Sequence, residues 1–106
     1  MGNVVNSGQM ITNLPAKACV EVPCFVDGGG IVPGFVGPLP EQCAALNRSQ
    51  VNVQLLTVAG ILERSRDTVY QAAFMDPLLS AQLTLDEITA LVDELIAAHG
   101  NPGGLR

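Results

Sequence analysis

The most reactive grouping in the chain is Cys24 and Asp27, three positions apart and followed at once by Gly28, Gly29 and Gly30. A thiolate is a strong nucleophile, and consecutive glycines can turn their backbone N–H groups toward a negatively charged oxygen. Together they could attack an activated ester or phosphoester at the thiol and hold an anionic group in the glycine turn. Such a thiol needs a helix N-terminus or a neighbouring cation to lower its pKa, and the sequence places neither beside Cys24. An inert cysteine ahead of a loose hairpin turn is the plain alternative. Cys19 and Cys43 are weaker candidates for the same chemistry, and His99 reads as a helix-end residue. The glycines do not form a P-loop, because no Lys-Ser/Thr follows. They do not form a dinucleotide fingerprint either, because Pro33 blocks the helix that such a fingerprint must open.

The element that must position this grouping is a strand over residues 18–27. Alternation puts Val20, Val22, Cys24 and Val26 on one face, expected to be buried, and Cys19, Glu21, Pro23 and Phe25 on the other. Pro23 donates no backbone hydrogen bond, which predicts an edge position or a bend there. Ahead of this strand, Val4-Val5 and Met10-Ile11 flank the turn-rich Asn6-Ser7-Gly8, so a hairpin is expected within residues 1–14. A short irregular strand is expected over 31–36.

Past Pro38 and Pro40 the composition turns helical. Pro40 suits a first helical position and Glu41 suits the positive end of the helix dipole. Apolar positions Cys43, Leu46, Val53, Leu56 and Ile61 follow, with a break expected near Asn47-Arg48-Ser49 and a second helix over 49–63. Ser65-Arg66-Asp67 predicts a turn, and 68–75 a helix that Asp76-Pro77 stops. The last helix is the clearest. Thr84 and Glu87 form a capping box, and Ile88, Leu91, Val92, Leu95 and Ile96 recur on one stripe. Gly100 suits its C-cap and His99 the negative end of its dipole. Residues 101–106 read as a short tail.

A chain of 106 residues, 48% hydrophobic, is one domain that buries roughly two-thirds of its unfolded surface. Only 14% of residues are charged, and so apolar a small chain is expected to keep some apolar surface for a partner. The net charge of −5 and five scattered basic residues argue against nucleic acid or an anionic membrane as that partner. No run reaches membrane-spanning length and no signal pattern opens the chain. Three cysteines without ligand-pair spacing indicate neither a disulfide framework nor a zinc site, which places the chain in a reducing cytoplasm.

Several short motifs, in order and at consistent spacing, carry a resemblance. They are Asn13-Leu14-Pro15, Val20-Glu21-Val22-Pro23-Cys24-Phe25-Val26-Asp27, Gly30-Ile31-Val32-Pro33, Asn52-Val53-Gln54, Asp76-Pro77-Leu78 and Leu91-Val92-Asp93-Glu94-Leu95. These resemble the C-terminal region of glycoside hydrolase family 4, the NAD- and manganese-dependent glycosidases, particularly α-galactosidase and α-glucosidase members. The resemblance implies that NAD and manganese serve the complete enzymes. Neither is expected in this piece, which has no Rossmann segment and no Cys–His metal pair. It also implies that Asn6 and Gln9, in a turn ahead of Asn-Leu-Pro, are candidates to lie near a bound sugar in a complete enzyme; the plainer reading, which the residues themselves favour, is that they cap their own turn backbone. At 55–62 the chain departs from the family pattern by losing two carboxylates and gaining apolar bulk, which suits packing against a second copy.

The expectation is an α+β fold, with short antiparallel strands over 1–37, three or four helices over 38–100, a tail over 101–106, and assembly as a homodimer. In function it reads as a substrate or oligomerisation portion of a family 4 glycosidase without glycosidase activity of its own. The other readings are a small hydrolase using Cys24 and Asp27 near a dimer seam, and a non-catalytic dimeric interaction module.

Overall fold

The computed structural model describes residues 1–106. The architecture is α+β: four short strands, paired two by two, precede four helices. The chain divides into two compact units, residues 1–48 and 49–106, and the division falls inside a helix.

In the first unit, β1 (Gly2–Val5) pairs antiparallel with β2 (Cys19–Val22), Gly2 opposite Val22 and Val5 opposite Cys19. This corrects the expected hairpin between Val4-Val5 and Met10-Ile11. Asn6-Ser7-Gly8 is instead a 3-10 turn that closes with Gln9 in the left-handed region, φ 55°. Ile11 then makes an isolated parallel bridge with Gly37. Val20 and Val22 alternate inward and, with Met10, Ile11, Leu14 and Ala18, form the buried interior of this unit.

The expected single strand over 18–27 is two strands. Pro23 has no N–H to give the ladder, so β2 ends at Val22 and β3 (Cys24–Asp27) starts a separate sheet with β4 (Gly30–Pro33). The common buried face expected for residues 20–26 therefore stops at Val22: Cys24 is half-buried and Val26 is 74% exposed. The β3–β4 turn is Gly28-Gly29, with Gly30 at φ +119°.

Helix α1 (Glu41–Leu62) runs unbroken through Asn47, Arg48 and Ser49, against the expected break. Arg48 is a good helix former, Asn47 and Ser49 are weak ones and not breakers, and the Asn47 side chain bonds back along the helix to the Cys43 carbonyl at 2.9 Å. Its buried positions are Ala44, Val51 and Gly60, while Leu46 is 73% exposed.

In the second unit, α2 (Arg66–Phe74) starts two residues earlier than expected because Ser65 is its N-cap, accepting from the Thr68 N–H. Asp76 and Pro77 do end that run, and they also start a short helix, α3 (Pro77–Gln82): Asp76 Oδ1 accepts from Leu78 N–H and proline occupies the first turn. Helix α4 (Leu85–Ala98) carries the expected capping box, Thr84 with Glu87, and Gly100 follows it at φ +66°. Ile88, Val92 and Ile96 of α4 make the core with Leu105, against Val69 and Phe74 of α2 and Leu79 of α3. Gly60 lets α1 approach α2 closely, since a Cβ there would lie 2.9 Å from Val69 Cγ2. Residues 101–106 are not a loose tail: Leu105 is buried, and the Arg64–Arg66 turn exchanges backbone hydrogen bonds with Arg106 at 2.9 and 3.0 Å.

Candidate functional site

The polar residue most deeply placed is Asn6, which is 0% exposed. Its Nδ2 faces the carbonyls of Ile11, Leu14 and Pro15 at 2.9, 3.1 and 3.2 Å, and its Oδ1 accepts from Ile11 N–H at 3.0 Å. An amide has two N–H donors, so three carbonyls share two protons and the side chain has no donor left over. Asn6 is thus the hub of the loop over 6–15. Gln9 lies on the outside of the same loop and is exposed. The structure keeps the two candidate sugar-proximal residues on one loop and gives them opposite surroundings.

A second asparagine does related work that sequence reading passed over. Asn13 Nδ2 donates to the Leu39 carbonyl at 2.8 Å, and Leu39 N–H donates to Asn13 Oδ1 at 2.9 Å. An amide side chain here stands in for a strand partner, tying the loop to the segment that enters α1. The signal lay in Asn13-Leu14-Pro15, but its partner is 26 residues away and no local rule points to it.

Cys24, Asp27 and the glycines occupy one hairpin but do not converge. The Cys24 thiol donates to the Val22 carbonyl at 3.4 Å, and a Cβ on Gly2 would stand 2.8 Å from its sulfur. The thiol is therefore packed against the first strand pair. Asp27 sits at the other end of β3, where its Oδ1 accepts from Gly29 N–H at 2.8 Å. That bond occupies one N–H of the expected anion-binding turn with the protein's own carboxylate, and of the three glycines Gly30 alone has positive φ. Cys19 and Cys43 are exposed, and no cysteine is paired.

The second unit carries concavities lined by its helices. One, about 620 Å³, lies between α1 and α2 and is lined by Asn52, Leu55, Leu56, Gln71, Phe74 and Met75. Another, about 310 Å³, opens onto the core beside Ile61, Val69, Leu95 and His99. His99 Nδ1 is engaged with the Leu95 carbonyl at 2.8 Å, in keeping with a helix-end role. The Tyr70 hydroxyl bonds the Asp93 carboxylate across α2 and α4, and that bond holds the phenol above its usual pKa, with smaller contributions from desolvation and the Asp93 charge. No three His, Cys, Asp or Glu side chains converge as metal ligands, and the Gly28-Gly29 turn joins two strands and not a strand to a helix. The chain's own residues therefore fit neither a manganese site nor a dinucleotide cradle. No helix is long and apolar enough to cross a membrane.

The family profile described as "Family 4 glycosyl hydrolase C-terminal domain" matches residues 1–79. An α-galactosidase of Bacillus subtilis is 52% identical over 94% of this chain, which takes up 23% of that protein. An α-galactosidase of Rhizobium meliloti is 45% identical over 92% of this chain and 20% of its own length. The crystal structure of a 6-phospho-α-glucosidase from gut microorganisms, in complex with NAD and glucose-6-phosphate, superposes with a TM-score of 0.86 at 28% identity, covering 98% of this chain and 23% of that one. The chain thus spans less than a quarter of the relatives it matches. It belongs to the C-terminal-domain family of the family 4 glycosyl hydrolases.

Proposed function

We propose that the chain is the C-terminal portion of an α-galactoside-cleaving enzyme, supplying scaffold and contact surface, and that it does not cleave glycosides alone. One observation carries this reading: identity of 52% runs along 94% of this chain yet accounts for 23% of an α-galactosidase. The resemblance to NAD- and manganese-dependent glycosidases assigns the hydride carrier and metal to the remaining length of such an enzyme. Asn6 serves the site from a distance, by fixing the loop that bears Gln9, and Gln9 is the residue of the pair placed to meet a sugar. Replacing the matching stretch of the Bacillus subtilis α-galactosidase with this chain tests the reading. The hybrid is expected to cleave nitrophenyl α-galactoside with NAD and Mn²⁺ present, and a folded hybrid without that activity contradicts it.

Self-association belongs to the same reading. Leu55, Val58 and Leu62 recur at i, i+3 and i+7 on α1, with Val58 57% and Leu62 78% exposed. This stripe supports a two-fold dimer through α1. Light scattering is expected to report a dimer that Leu62→Glu converts to a monomer, and a monomeric parent chain contradicts the dimer. Three unpaired cysteines fit a reducing compartment such as the cytoplasm.

A further inference from the structure

Beyond the pair at its base, half-buried Cys24 and Pro33, the β3–β4 hairpin is exposed on both of its faces. Phe25 and Val32 are opposite one another across the strands and share one face, 72% and 56% exposed. Val26 and Ile31 form the next pair and share the other, 74% and 65% exposed. Just beyond β4, Phe35 is 76% exposed. The sheet has two strands only, so each also presents an unpaired edge. Free edges are ordinarily guarded by lysines or other charges, and the only charged residue from 24 to 36 is Asp27, at the tip. A two-stranded hairpin is marginal in water unless something packs against it. The first strand pair makes the contrast, because there Val20 and Val22 are buried within their own unit.

We infer that this hairpin is a docking arm, and that its occupant is an apolar cleft in the remaining portion of a family 4 glycosidase polypeptide. The inference rests on the reading under Proposed function and deepens it by naming the element that makes the contact. Two observations select the occupant. The family match runs through the hairpin, and a relative matched along 94% of this chain has about three-quarters of its length outside the match. Apolar side chains on both faces need a partner that encloses them. A two-fold contact between hairpins of two copies covers one face or one edge of each and leaves the other wet. Burying both faces removes large apolar side chains from water, the main favourable term in such contacts.

The test uses the full-length hybrid described above beside the lone chain. Hydrogen exchange across residues 24–33 is expected to slow by about tenfold or more in the hybrid. In the hybrid, Phe25→Ser with Ile31→Ser, one change on each face, is expected to lower α-galactosidase kcat/KM by about tenfold or more, while Phe25→Leu with Ile31→Val keeps it. An active hybrid whose hairpin exchanges as fast as in the lone chain overturns the inference and leaves Proposed function standing. A folded but inactive hybrid overturns both. A lone-chain dimer that the double serine variant dissociates makes a second copy the occupant and overturns the inference alone.

Discussion

Asn6 and Ile11 are joined by two opposed hydrogen bonds, side-chain amide to carbonyl at 2.9 Å and backbone N–H to side-chain oxygen at 3.0 Å. The pair reproduces with one side chain what two strands do with backbone, and it closes a loop in which Met10, Ile11 and Leu14 are buried. Asn6→Ala leaves buried backbone groups without partners, each costing about 1–3 kcal/mol, so a loss of about 2–4 kcal/mol is expected in urea unfolding. Gln9 is exposed at φ 55°, and Gln9→Gly is expected to be neutral or to stabilise by up to about 1 kcal/mol. Equal effects at the two positions would refute the hub role of Asn6.

Gly2 and Cys24 are predicted to be coupled. A methyl group on Gly2 would fall 2.8 Å from the Cys24 sulfur, so Gly2→Ala is expected to cost about 1–3 kcal/mol through overpacking. Cys24→Ala removes the obstacle, and a double-mutant cycle on urea midpoints should recover most of that loss. Additive effects would mean that the thiol does not occupy the space above Gly2.

The C-terminal residues are predicted to be structural. Leu105 is buried among Ile88, Val92 and Ile96, so Leu105→Ala is expected to cost about 2–5 kcal/mol. Thermal unfolding followed by circular dichroism measures it, and an unchanged midpoint would return residues 101–106 to the status of a tail.

The phenol of Tyr70, the only tyrosine, is predicted to titrate above the ordinary value of about 10 because it donates to Asp93. Between the unfolded and the raised folded pKa the native state binds more protons. The associated stability is therefore full below the unfolded pKa and is lost as pH rises through the folded one. Ultraviolet titration at alkaline pH should show the midpoint falling toward the ordinary value in Asp93→Ala, and no change on that substitution contradicts the bond.

How much was legible in sequence depended on how local the deciding contact is. The bounds and capping of helix α4 and the buried Ile88, Val92 and Ile96 could be read, because Thr84, Glu87, the apolar stripe and Gly100 all act within a few turns, although Leu95 of the expected stripe is exposed. The β3–β4 turn was legible for the same reason. The partner of β1 was not: Asn6-Ser7-Gly8 has the composition of a hairpin turn, but β1 pairs with β2, whose first residue is 14 beyond the end of β1. The amide of Asn6 is spent holding the loop between them. Continuity of α1 through Asn47 to Ser49 was hidden because weak helix propensity there is outvoted by 22 residues of helix. At the candidate site, the sequence put Cys24, Asp27 and the glycines together, and they do share a hairpin. What it could not carry is that the thiol bonds the Val22 carbonyl while the carboxylate bonds Gly29, at opposite ends of β3. Asn13 and Leu39 were missed because a pairing across 26 residues leaves no periodic trace.

The proposed role, one part of a glycosidase that lacks the reaction when alone, stands or falls on the behaviour of the lone chain. Its most direct test is a calorimetric titration of the lone chain with NAD, paired with an assay of nitrophenyl α-galactoside cleavage in the presence of Mn²⁺. No nucleotide binding and no turnover above the protein-free background are expected. Saturable NAD binding by the lone chain, accompanied by cleavage, would contradict that role.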